Sequence, residues 1–161
     1  HNGGSPYTAT YTWKKLSDNL ASDQLLTQIS GSWTEEEMRS ISLLKGEVVS
    51  IDTAAWVPQD TYTFFPDCKF WFAYPAPSES ADKRVTEYTF TIKGNVISLA
   101  NEKMMVDGVV LDERPMSGTY VVYPISDDQM VLITHSVLPE FIANERGYDA
   151  FLSVMKLRRI E

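Results

Sequence analysis

One cysteine, two histidines and few basic residues set the first limits on this 161-residue chain. The lone thiol, Cys68, excludes an internal disulfide framework and a cysteine-based zinc cluster. No apolar run approaches 18 residues, so no helix of this sequence is expected to span a membrane. Lys and Arg number 14 against 22 Asp and Glu, a net charge of −8. That balance argues against nucleic acid, whose phosphates need a basic face, and equally against an electrostatic grip on anionic lipid headgroups. Histidine occurs only as His1 and His135. A nucleophile–base set would have to join His135, in "ITHS", to Ser136, Cys68 or another partner, and nothing in the spacing demands it. A metal site needs three or four convergent ligands, which scattered carboxylates around one histidine do not make. No phosphate loop or dinucleotide fingerprint occurs. The expectation is a protein that is not an enzyme, with no catalytic residues, no bound metal and no cofactor.

What the chain has is rings: 19 of its 161 residues are Phe, Tyr or Trp, crowded between Tyr62 and Phe90. Aromatic side chains suit pleated, half-buried surfaces, and they also line small-molecule pockets. Residues 1–13, with Gly3, Gly4 and Pro6, read as a flexible N-terminal segment, and 14–161 as one domain. The start "HNGGSPYT" reads as a mature or trimmed product whose export signal has been removed. Leu16, Leu20, Leu25, Leu26 and Ile29 recur at near-helical spacing and predict a helix over 14–29, N-capped by Ser17 and ended by Gly31.

Beyond Gly31 the period shortens towards two. "YTFFPDCKFWFAY" (62–74) is two aromatic runs hinged at Pro66-Asp67. In "TEYTFTIKGNVISLA" (86–100), Tyr88, Phe90 and Ile92 alternate with Thr89 and Thr91 before Lys93-Gly94-Asn95 turns the chain. Asp107-Gly108 suits a type I′ turn, and Asp127-Asp128 a second hairpin. Strands are expected near 32–45, 46–52, 60–65, 69–74, 85–92, 96–100, 118–124, 129–136 and 149–159, with a short helix over 139–147. Eight or nine strands joined mostly by tight turns predict an all-β, antiparallel up-and-down barrel, which leaves no open edges. A two-sheet sandwich is the competitor.

Gly31-x-Trp33 at the mouth of the first strand, after a helical segment, resembles the signature of lipocalins and the wider calycin superfamily. The order of linker, "GxW" strand, meander with a "YTIKGN"-like hairpin and closing basic strand is similar to lipocalin-like domains of bacterial envelope lipoproteins and secreted proteins. The resemblance covers about residues 25–160. It implies that Trp33 lies across the closed end of the barrel with an arginine, Arg158 or Arg159, on its ring, and that Gly31 and this pair serve barrel closure. It also implies an exported protein, periplasmic or anchored to the outer membrane through a lipidated precursor. The second lipocalin motif, a Thr-Asp-Tyr-like triplet, is absent, and "SWTEEEMRS" places the early part of the first strand near solvent.

An eight-stranded barrel is wide enough to be filled by side chains or to hold one small ligand. Phe72, Tyr88, Phe90, Tyr120 and Phe151 are the expected lining for a small apolar or amphipathic molecule. The inward face of 69–74 and of 119–123 is open, because both faces of those strands are apolar. A packed barrel acting as a protein or glycan interaction module is the other reading, with Trp56 and the "YPAPSES" loop (74–80) as its exposed features. Adjacent Glu35, Glu36 and Glu37 must alternate between faces, so they form no single cluster.

Overall fold

The computed structural model describes residues 22–54, 60–73 and 83–160. Helix α1 (Ser22–Ile29) leads into β1 (Gly31–Leu44), β2 (Glu47–Ala54), β3 (Thr61–Phe65), β4 (Lys69–Ala73) and β5 (Arg84–Lys93). There follow β6 (Val96–Val106), β7 (Val109–Pro124), β8 (Gln129–Val137), helix α2 (Glu140–Arg146) and β9 (Ala150–Ile160). Part of the helix expected over 14–29, with Ser17, Trp56 and the 74–80 loop, lies outside the described residues.

All pairings are antiparallel, and β1 pairs with β9 from Ser32–Ile160 to Leu43–Ala150, so the sheet closes on itself. The result is an eight-stranded barrel plus one extra strand, with a helix before the first strand and another before the last. The extra strand arises because β1 has two partners on one side. β3 pairs with Gly31–Thr34 and β2 with Met38–Leu44. Their registers place β2 and β3 end to end, as one wall element interrupted between Ala54 and Thr61.

The turns follow from local chemistry. Asp107 and Gly108 both take positive φ, 49° and 79°, as a type I′ turn requires. That tight turn lets β6 and β7 run on well past the 96–100 and 118–124 expected from alternation. The longer strands carry bulges near Asn101 and Met105 that obscure the period-two signal. Cys68, at φ 61°, closes the turn that follows Pro66-Asp67.

Residues facing each other across an antiparallel pair share a face of the sheet. Buried Trp33 opposes Tyr62, and Tyr62 opposes Phe72. Phe64 opposes Phe70, which opposes Tyr88. Phe70 and Phe72 therefore point inward, while Trp71 is 38% exposed and donates from its indole to Glu87. The same logic turns Tyr120 and Val122 inward through Ile97 and Leu132.

Candidate functional site

One end of the barrel is sealed. There α1 lies across the start of β1 and the end of β9, near the β5–β6 turn, to which Ser22 is hydrogen-bonded through the carbonyl of Ile92. A helix end leaves its last carbonyls without intrahelical partners, and here the barrel supplies them. The Trp33 indole N–H donates to Ile29 O at 2.8 Å. Arg159 Nη2 donates to Gln28 O at 2.7 Å and Nη1 to Ser30 O at 2.8 Å. The guanidinium lies 4.3 Å from the Trp33 ring centroid, and its Nε reaches Asp127 O. A cation at a helix C-terminus also meets the negative end of the helix dipole. Gly31, at φ 124°, is required twice over: a Cβ there would come within 2.5 Å of Arg159 Nη1, and few L residues accept that φ.

Of the two arginines, Arg159 therefore closes the barrel. Arg158 does not. Successive strand residues alternate in direction, so Arg158 turns outward, where it pairs with Glu36 at 3.2 Å.

Above this seal Leu25, Ile29, Trp33, Phe64, Phe90, Ile97, Leu99, Val122, Met130, Leu132 and Leu157 form a packed floor. Phe90, expected in the lining, belongs to that floor: it is buried and meets Phe64 edge-on at 6.1 Å. The next layer up changes character. Tyr62 lies 5.0 Å from Phe72, and Phe70 lies 5.2 Å from Tyr88 and 6.3 Å from Tyr120. Phe72, Tyr88 and Tyr120 pack only partly buried against the core.

Glu35 stands in this layer. It is 4% exposed, contrary to the solvent-facing position expected for the acidic start of the first strand. The reason is phase: two residues beyond Trp33, it shares Trp33's inward face, while Glu36 faces out to Lys156 and Arg158. Tyr62 donates its hydroxyl to Glu35 Oε2 at 3.0 Å, and Glu35 Oε1 has no hydrogen-bond partner among the described residues. Met155 Sδ lies 3.7 Å from the same hydroxyl. Asp60 immediately precedes Thr61, the partner of Thr34, and its backbone carbonyl accepts from Thr34 Oγ1, so it lies near Glu35. Burial raises the pKa of both carboxyls; at Glu35 the Tyr62 hydrogen bond opposes that rise and the nearby Asp60 charge adds to it. Tyr62 is pushed far up, first by burial and then by Glu35, and Tyr120 is raised by burial.

Towards the open end the interior becomes polar, with Ser40 opposite Ser153 and Ser42 opposite Phe151. Phe151 thus faces inward near the mouth, away from the aromatic layer. Glu102, opposite Tyr88, pairs with Arg114. The outer wall there is apolar: Ile41 pairs with Ile51 and Leu152, and Leu43 with Val48 and Ala150. β7 and β8 pair only from Val121 to Pro124, at the sealed half.

His135 is exposed on the outer face opposite Leu152. Among the described residues no three His, Cys, Asp or Glu side chains converge as metal ligands would. No described helix is long and apolar enough to cross a membrane. Sequence reasoning missed Glu35, Asp60 and Tyr62. The spacing of Glu35 from Trp33 and of Tyr62 from Phe64 was the available signal.

The geometry defines the class: a closed antiparallel β-barrel, sealed at one end by a helix, with an aromatic and acidic layer above its floor. Comparison with protein-family models, curated proteins and solved structures returns no match to this chain.

Proposed function

We propose that this chain is a lipocalin-like binding protein of the bacterial envelope, non-enzymatic, which holds a small apolar or amphipathic molecule in its barrel. The carrying observation is the change of lining above the floor, from buried side chains such as Leu25, Ile29, Phe64 and Phe90 to partly buried Phe72, Tyr88 and Tyr120 in the layer of the Tyr62–Glu35 hydrogen bond. Ring faces supply apolar burial at about 25 cal/mol per Å², and the tyrosine hydroxyls orient a polar end. The helix cap built from Trp33 and Arg159 supports kinship with the calycin superfamily, because it gives Gly31-x-Trp33 and a C-terminal arginine one shared purpose. Export, with lipidation of a precursor, belongs to the same reading and is tested by labelling the full-length product with a radioactive fatty acid.

A thermal-shift screen against lipids and tetrapyrroles tests the binding role. A ligand at one hundred times its Kd adds about 2.7 kcal/mol, which for a domain of this size raises Tm by roughly 5–10 °C. Absence of any shift across both panels defeats the reading.

The apolar outer wall of Ile41, Leu43, Val48 and Ile51 favours a second reading, a barrel that docks on a protein partner. Cross-linking in cells, comparing wild type with Val48→Glu, separates the two. Loss of a defined cross-linked species with Tm unchanged supports docking.

A further inference from the structure

We propose that the Glu35–Asp60 pair, roofed by Tyr62, Phe72, Tyr88 and Tyr120, receives the protonated amine of an amphipathic ligand whose tail runs towards the barrel mouth. The inference rests on the binding reading above and names the chemistry of the ligand's head.

Glu35 Oε1 is the starting point. A buried acceptor without a partner is costly, and more so when charged. Native proteins keep such a group where something else satisfies it. Its surroundings show what that something is. Tyr62 already donates to Oε2, so Oε1 is the atom that calls for a donor from the barrel interior. Among the described residues, the groups placed beside Glu35 are Tyr62 and Met155, which meet at the Tyr62 hydroxyl, Asp60 just before β3, and Leu157 opposite on β9. None carries a positive charge. Arg159 is committed below the floor to Gln28, Ser30 and Asp127, and Arg114 to Glu102.

Glu35, with Asp60 nearby and no counter-cation paired with either among the described residues, and with burial holding both carboxyls back from ionising, forms a place where a cation is favoured over a neutral donor and an anion is repelled. The rings reinforce the choice. Aromatic faces attract an ammonium group, most strongly when it is desolvated. The net charge of −8 draws cations towards the protein.

The experiment compares three probes of equal tail length, decylamine, decanol and decanoate, each below its micellar concentration, by titration calorimetry on the full chain. Decylamine is expected to bind at least tenfold more tightly than decanol, with decanoate weakest. Glu35→Gln should cut decylamine affinity tenfold or more and leave decanol within twofold. Asp60→Asn, at the rim of the pair, should weaken decylamine alone by a smaller factor. Equal or tighter binding of decanol or decanoate in the wild type overturns the amine assignment while leaving a binding barrel. Failure of all three to bind overturns the assignment together with the reading beneath it. The wild-type series decides the matter even where a variant does not fold.

Discussion

Replacing Arg159 with alanine removes the device that joins helix to barrel. The guanidinium makes one partly buried bond to Ser30 O and two exposed bonds, to Gln28 O and Asp127 O. A bond from a charged donor contributes about 1.5–3 kcal/mol, with the exposed ones at or below the low end. The stack on Trp33 adds about 0.5–1 kcal/mol at a part-exposed site. Because the bonds share one side chain, their contributions overlap, and a loss of about 3 kcal/mol is expected rather than their sum. For a domain of this size that lowers Tm by roughly 6–12 °C. Arg158→Ala is the control. Its pair with Glu36 is exposed and contributes about 0–1 kcal/mol, so Tm should fall by no more than roughly 4 °C. Differential scanning calorimetry on both variants decides. A drop for Arg158→Ala equal to that for Arg159→Ala, or an Arg159→Ala protein as stable as wild type, refutes the capping argument.

Three further outcomes follow from the same geometry. Gly31→Ala, which places a Cβ at the Arg159 guanidinium and strains a positive φ, should cost about 2–4 kcal/mol in urea denaturation, and its effect should shrink in an Arg159→Ala background. Tyr62→Phe leaves both Glu35 oxygens without a donor and should cost about 1–3 kcal/mol, with the Glu35 carboxyl rising further, read by carboxylate NMR titration. Because the folded-state pKa values of Glu35 and Asp60 lie above their ordinary ones, the folded chain holds protons there that the unfolded chain has released. Their burial penalty is thus absent below the ordinary carboxylate range and grows as pH rises through the raised values. The stability of Glu35→Gln relative to wild type should therefore improve from pH 4 to pH 8 in urea midpoints, and a flat difference contradicts the burial of a carboxylate.

Alternating aromatic segments, turn pairs such as Asp107-Gly108 and the Gly31-x-Trp33 entrance were enough to specify an antiparallel barrel closed by its last strand. These features act through local backbone preference and a two-residue period, both readable within a dozen residues. The order of the strands needed little more, since each tight turn leaves its two strands as neighbours. Three matters were decided only by the closed sheet. Which of two adjacent arginines meets Trp33 depends on the register of β9 against β1, because one residue of slip exchanges Arg158 for Arg159. Which face of an apolar strand turns inward depends on its partners, and so Phe72 lines the barrel while Trp71 faces solvent. The burial of Glu35 beside Tyr62 and near Asp60 unites residues about 25 positions apart, an encounter that no local pattern encodes and that β1–β3 pairing brings about.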